Sequence, residues 1–481
     1  METFDMDATN GFLDSKWYHL YCSVQRCNSA LRVLNAATDE QVNGRVSRIA
    51  EMKVLRAHYY FELSRLFNKI PYFDENVEIS QYPDIPNNEF TRDEILSMLA
   101  KEMLDAAELL PASQSEVGRI HKYIALAYAA KIKLYQAYQQ DETTHAVTSI
   151  NKELLREVVS LCDQVTASNR YGLLDDFQGL DLVANENGKE SVFAIQYSMN
   201  DGTESAGRIN WSNLLNSPGG GSPYGGDGFF LPSQDLINAY QTDANGLPDF
   251  NYQSKSDYSW AVLNNGVYTL QNTTPNVDPR LDFVVGRPTI TWKTYPDKPC
   301  EGWVRDKETY GYNCAKRFWV SPESSDMFNG WPWGASQLNW QIIRYADILL
   351  WKAEALIELN EGDGLETARD LINQIRNRAR NSAYVKDFND HSKYAANYLV
   401  NPYPADVWNQ DYARQALRWE TRLEKALEGE RFFDLVRWGI VETTMNKYIT
   451  AESDNRIYYA NAHFTGGKDE YYPVPNNQYG F

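Results

Sequence analysis

Two kinds of side chain in this sequence invite a chemical reading. Glu424 and Glu428 stand one helical turn apart in "LEKALEGERFF". Carboxyls at that spacing approach the roughly 5 Å separation at which one serves as acid and the other as nucleophile in glycoside cleavage. Arg422, Lys425 and Arg431 crowd the same segment. Cations favour ionised carboxylates, whereas a general acid needs its pKa raised. The pair therefore reads as a structural ion network, and so do Asp434 and Arg437. The second kind is tryptophan. Trp331, Trp333 and Trp340 fall within ten positions in "NGWPWGASQLNW", where Gly330, Pro332 and Gly334 favour a turn. Rings at such a turn either face a ligand or plug the gap against the next element, because Trp carries a large apolar body with a polar tip and is highly buried on average.

Other chemistry finds little footing. The six histidines make no H-x-x-x-H or H-E-x-x-H pair, so zinc has no ligand set, and G-x-S-x-G is absent. The Gly-rich "SPGGGSPYGGDGFF" (217–230) lacks the G-K-[ST] ending of a phosphate loop and reads as a loop. No catalytic residue, metal or cofactor is expected. With 46 basic against 65 acidic residues and a formal charge of -19, nucleic acid would be repelled over most of the chain. No run of 18 apolar residues occurs, and the amino terminus shows neither a basic n-region nor an apolar h-region. Of the five cysteines, Cys300 and Cys314 bracket a loop that a bridge would close, or they are two unpaired small hydrophobes.

The elements that must position these residues are mostly helical. Apolar residues recur at three- and four-residue steps over 17–34, 46–67, 91–109, 119–138 and 151–167, and again over 342–359, 364–380 and 412–427. Between them, 171–341 is rich in Gly, Pro, Asn and Ser, with strand-like pieces such as "SVFAIQYS" and "LDFVVG". Gly362 stands where a helix cap belongs and Asp363 with Glu366 opens the next helix, so 342–380 is expected as one antiparallel pair packed on 412–438. Ala125, Ala127, Ala129 and Ala130 allow close helix approach in the unit at 119–167. Hairpins of this length resemble tetratricopeptide units without their strict signature, and stacking them buries one continuous core. The expected class is mostly α, an α-superhelical scaffold in a single domain (1–481), with helical parts at about 17–170 and 342–450 around a loop-rich region at about 171–341.

Several stretches then carry a family resemblance. "VLRAHYYFELSRLFNKIPYF" (54–73), "YGLLDDF" (171–177) with "KESVFAIQYS" (189–198), "DPRLDF" (278–283), "IIRYADILLWKAEAL" (342–356), "LEKALEGERFFDLVRWG" (423–439) and "YYPVPNNQ" (471–478) occur in the order seen in the SusD/RagB family, which the chain resembles over nearly its whole length. Asn68 and Lys69 replace the family's usual Gly before the first Pro, and Gln478 its usual acidic residue after the tail motif.

The resemblance implies a non-catalytic glycan-binding lipoprotein on the outer membrane surface of Bacteroidetes. Such a protein serves a TonB-dependent transporter of the SusC type and is held by a lipid anchor upstream of Met1. A peptide-binding relative of the RagB type, or an α-helical glycoside hydrolase, are the alternatives. For such a ligand, whose pyranose faces pack on aromatic planes, Trp331 and Trp333 are the sugar-stacking candidates, with Trp292 and Trp303, in separate loops with Tyr295 nearby, as lesser ones. It also implies the loop "YFDENVEISQYPDIPNNEF", where Tyr72 and Tyr82 would stack and Asn87 or Asn88 would bond hydroxyls. Trp340 and Trp351 are expected in the core.

Overall fold

The computed structural model describes residues 2–203, 208–211, 219, 221–295, 302–328, 330 and 334–478. Helices α1 (Gly11–Ala36), α2 (Arg45–Phe67), α3 (Arg92–Leu109), α4 (Lys122–Ala137) and α5 (Lys152–Ala167) come first. Their starts are set by polar side chains: Asn10 Oδ1 accepts the Phe12 N–H at 3.0 Å, Thr91 and Glu94 form a reciprocal capping box, and Asn151 Oδ1 accepts from Glu153 and Leu154. Each satisfies N–H groups that a helix start leaves open. In α4, Ala125, Ala127, Ala129 and Ala130 have no exposed surface; these small side chains let α3 and α5 close on it from both sides. The strands β1 (Tyr138–Gln140) and β2 (Val147–Ile150) form a hairpin joining α4 to α5.

The middle of the chain holds short helices α6 (Gln234–Ala239), α7 (Arg280–Val284) and α8 (Lys307–Tyr310). Its strands are β3 (Ser191–Ile195), β4 (Gln241–Thr242), β5 (Trp260–Asn264), β6 (Val267–Gln271), β7 (Asn276–Val277), β8 (Val285–Gly286), β9 (Cys314–Ala315) and β10 (Trp340–Arg344). They pair two at a time, β3 with β10, β4 with β7, β5 with β6 and β8 with β9. Helices then return as α9 (Tyr345–Leu359), α10 (Gly364–Asn381), α11 (Gln410–Glu424), α12 (Arg431–Arg437) and α13 (Val441–Glu452). The α9–α10 pair packs on α11 as the stripes predict, and α9 also packs on α5. One apolar cluster thus takes in Leu20 of α1, Leu134 of α4, Ile348 of α9 and Leu435 of α12. The architecture is the mostly helical, tetratricopeptide-like scaffold with an irregular middle.

Four local expectations are corrected. The helix expected from 342 starts at Tyr345, because the preceding residues extend as β10, antiparallel to β3 with Trp340 opposite Ile195 and Arg344 opposite Ser191. "LDFVVG" is mostly the helical turn α7, closed by the Asp278 carboxylate accepting the Arg280 N–H at 3.0 Å. Asn360, in the left-handed conformation at φ 51°, caps α9 in place of Gly362, and Asp363 makes no side-chain cap. Trp351 is core at 8% exposure, whereas Trp340 lies on β10 with its ring 4.7 Å from Phe318.

The joint between scaffold and middle is a buried ion network. Arg344 Nη1 donates to Glu190 Oε1 at 3.0 Å and Glu424 Oε1 at 2.6 Å, and its Nε to Glu428 Oε1 at 3.0 Å. Arg378 pairs with Glu190 and Glu424, Arg280 with Glu424 and Asp278, and Arg317 with Glu428 and Asp181. Lys425 holds Glu428 and Asp347. Of the three cations expected around the glutamates only Lys425 is a partner, since Arg422 goes instead to Asp235 at 2.5 Å. Asp434 and Arg437 pair at 2.9 Å as expected. Burial alone would raise Glu424, but Arg378, Arg344 and Arg280 outweigh it and hold the carboxyl at about 2. Glu428 is likewise held well below the usual range by Arg344, Lys425 and Arg317 against the effect of burial. Both stay ionised, so neither has the protonated form a general acid requires.

Glu424→Gln keeps the shape and removes the charge. Breaking one member of a buried pair costs about 3 to 5 kcal/mol, so the urea midpoint near neutral pH should fall accordingly. The folded pKa lies below the unfolded value of about 4.3, which places the carboxylate's contribution in full above that value and removes it as pH falls through about 2. The stability gap between wild type and variant should therefore close from pH 4.5 to pH 2. A gap that stays constant there would show that the carboxylate charge is not what holds the joint.

Candidate functional site

Residues 326–328 and 334–337 pair as antiparallel arms, the well-built foot of a hairpin. The Gln337 N–H donates to Asp326 O at 3.1 Å and its side-chain amide to Asp326 Oδ1 at 2.7 Å, while the Phe328 N–H donates to Ala335 O at 2.8 Å. The Asn210 N–H adds a third strand at Ser336 O, 2.7 Å away. Trp331 and Trp333, the leading sequence candidates, lie outside the described residues. The foot rests on aromatic rings. Tyr224 and Trp319 have centroids 4.6 Å apart, Tyr224 Oη donates to Val320 O at 2.9 Å, and Trp292 Nε1 donates to Tyr224 Oη at 3.1 Å. Gly334, at φ +79°, sits so close that an added Cβ would lie 2.9 Å from both Trp319 and Tyr224.

This cluster corrects the reading of Trp292. At 1% exposure, with Trp303 edge-on at 5.2 Å, it is packed beneath the hairpin and offers no stacking face to solvent. Trp303 is equally buried. Tyr224, which the sequence places in a Gly-rich loop, is the ring that joins these tryptophans to the hairpin. The Cys300–Cys314 pairing falls outside the description because Cys300 does; Cys314 packs among the same rings.

The loop after α2 sits on other elements. Tyr82 stacks on Phe73 at 3.9 Å and accepts from Arg32 at 2.8 Å; Tyr72 packs on Tyr60 at 4.6 Å. Their contacts run to α1 and α2, whereas those of the hairpin run to Asn210, Tyr224 and Trp319. Asn87 lines a further groove of about 620 Å3 with Lys69, His145 and Tyr471. The structure thus separates three sets of residues that the sequence grouped by region.

Two features beside the hairpin were missed. Trp211, 47% exposed, follows Asn210 directly. In "RINWSNLL" it belongs to no motif, and only the pairing of the preceding Asn210 with Ser336, distant in sequence, brings it to the hairpin. The other is a polar cleft of about 530 Å3 walled by Gly118, Arg119, His121, Tyr171, Asn187 and Gln196, among others. Asn187 and Gln196 exchange side-chain amide bonds of 2.9 and 3.0 Å, and Asn339 Nδ2 donates to Gln196 Oε1 at 3.1 Å, so the cleft wall runs into the strand that leaves the hairpin. Gly118, at φ +79°, leaves room for Gln196, which an added Cβ would meet at 2.5 Å. Glu186 accepts the Asn339 N–H. Burial outweighs that bond and, with Asp326 nearby, pushes Glu186 up to about 7.

Gly334→Ala tests the support. Gly266, at φ +80° with nothing within 4 Å of its added Cβ, supplies the control for backbone strain alone. A non-glycine residue at positive φ costs about 1 kcal/mol or somewhat more. Gly334→Ala should exceed Gly266→Ala by an additional collision cost of about 1 to 3 kcal/mol, with a changed near-ultraviolet dichroism of the tyrosine and tryptophan cluster. Equal costs would mean that the hairpin is not seated on these rings.

Comparison with known proteins places this geometry. Residues 189–479 match the model of the SusD family, and residues 3–134 match the model described as starch-binding associating with outer membrane. A SusD-like protein of Bacteroides ovatus is 22% identical over 457 residues, covering 91% of this chain and 67% of the relative. The crystal structure of a SusD-like carbohydrate binding protein of Bacteroides fragilis superposes with a TM-score of 0.69 at 20% identity, over 98% of this chain and 86% of that one. Surface glycan-binding protein A of Bacteroides fluxus gives 0.64 at 21% identity, over 98% and 83%. At these identities the structural likeness establishes the fold, and the family model, matching more than half the chain, establishes membership: the chain belongs to the SusD family.

Proposed function

We propose that this protein is a non-catalytic glycan-binding protein of the outer membrane surface, lipid-anchored there, which passes oligosaccharide to a SusC-like TonB-dependent transporter. The observation that carries the reading is the half-exposed Trp211, adjoining Asn210 where that residue pairs with the hairpin foot at Ser336, in a fold that also holds a cleft lined by the side-chain amides of Gln114, Asn187 and Gln196. A pyranose presents a face of C–H groups to an aromatic plane and hydroxyls to surrounding donors and acceptors, and such sites combine a few apolar platforms with placed polar groups. Trp331 and Trp333, which fall between the two arms of the hairpin in the sequence, are proposed as further platforms. The names of the B. fragilis and B. fluxus neighbours, both carbohydrate or glycan binders, support the same ligand class. Glu424 and Glu428, buried and ionised among arginines, supply no acid and base for cleavage.

A glycan array followed by calorimetry tests this. Trp211→Ala, Trp331→Ala and Trp333→Ala should each weaken the bound oligosaccharide by at least about 2 kcal/mol, roughly 30-fold, at unchanged melting temperature and with no new reducing ends released. Binding of peptides in place of any glycan would overturn the ligand class. Turnover that disappears in a folded Glu424→Gln or Glu428→Gln variant would overturn the non-catalytic reading. Native outer membranes should yield the protein together with a TonB-dependent transporter; isolation without one would sink the delivery role.

A further inference from the structure

Resting on that glycan-binding reading, we propose that the cleft beside the hairpin receives an anionic substituent of the sugar chain, a uronate carboxylate or a sulfate ester. The whole chain carries a formal charge of -19, yet Arg119, Arg170 and Lys189 line this cleft against the single carboxylate of Glu116. The three cations have different parts. Arg119 is clamped by Glu51, with bonds of 3.0 and 2.6 Å, and by Glu116, so it is fixed and largely neutralised. Lys189 pairs at 2.9 Å with Asp175, whose side chain is 99% exposed. An exposed pair of this kind is worth little, and a ligand anion can take the lysine over. Arg170 is exposed beside Tyr171 at the mouth of the cleft.

The neighbouring imidazole supports the assignment. Tyr171 Oη lies 3.3 Å from His121 Nε2, and His121 Nδ1 is buried without a hydrogen-bond partner among the described residues. Burial and then Arg170 push His121 down to about 4, so the ring is neutral and cannot balance an anion from its own charge. The positive character of the cleft therefore rests on Arg170 and Lys189. An anion seated between them would remove the field that Arg170 exerts on His121. The amide pair of Asn187 and Gln196 connects this point to Asn339, which leads from the hairpin into β10.

The test compares four probes of matched length by calorimetry: an oligogalacturonate, its methyl ester, a carrageenan-derived sulfated oligosaccharide and its desulfated counterpart. At least one acidic probe is expected to bind ten times more tightly than its neutral partner, and which acid does so separates carboxylate from sulfate. That preference should weaken as salt rises from 50 to 500 mM, since exposed charges are screened. Arg170→Gln and Lys189→Gln should each bring the acid-to-neutral ratio down at least fivefold, while Lys255→Gln, outside the cleft, should leave it alone. The His121 pKa, followed by NMR, should rise by at least one pH unit with the acidic probe and stay put with its neutral partner. Equal binding of acid and neutral forms, acidic probes that do not bind, or variants that keep the preference would overturn this inference while glycan binding stands. Failure of every glycan, neutral ones included, would overturn both.

Discussion

Arg344 is the constraint on which the rest of the structure depends. Its guanidinium is 1% exposed and is shared among Glu190, Glu424 and Glu428. A charge taken that far out of water is tolerable only with its hydrogen bonds filled, and filling them fixes three parts of the chain at once. Glu190 is the foot of β3, Glu424 ends α11, and Glu428 leads through Arg317 to Asp181 in the irregular middle. The Arg344 N–H also donates to Asp347 Oδ2 at 2.8 Å, starting α9. One residue therefore marks where strand becomes helix and where scaffold meets loops.

The same device recurs because the middle has few strands to absorb its backbone groups. Buried carbonyls without a ladder partner are costly, and long cationic side chains reach them. Arg376 donates to Asn401 O at 2.7 Å and Gly246 O at 2.8 Å, and Lys316 Nζ donates to Asp282 O and Thr291 O, both at 2.7 Å. Each cation is neutralised nearby or spends its protons on carbonyls. Such a network adds less net stability than an apolar core of the same volume, but its directionality suits segments that lack periodic hydrogen bonding.

Helices were legible because burial on a curved scaffold writes a 3.6-residue stripe, and the Ala run of α4 announced its close packing. Strand β10 was not, since Ile342 and Ile343 continue the apolar pattern of α9 without a break; only the distant partner β3 makes them a strand. The ionised state of Glu424 was readable from local charge, yet its partners Arg280, Arg344 and Arg378 come from remote segments that spacing cannot connect. Trp292 was misread for a related reason. Tryptophan type says that a ring is large and amphipathic, whereas which side of a loop it takes is decided by Tyr224 and Trp303 across the fold.

The buried aromatics and the hairpin complete one mechanical argument. Ordering a flexible loop at the moment of binding subtracts from affinity, so a loop held in place beforehand binds more tightly for the same contacts. Here the foot is pinned at Asp326, Phe328 and Ser336, and Gly334 is pressed onto Trp319 and Tyr224. The chain's points of entry to the tip and exit from it are thereby fixed through rings that are themselves inaccessible to ligand. Trp292 and Trp303 thus form, with Tyr224 and Trp319, the packed floor on which the foot of the hairpin is set. The scaffold's ion network then carries that floor, through Arg317 and Arg344 on either side of the hairpin in the sequence, onto α9 and α11.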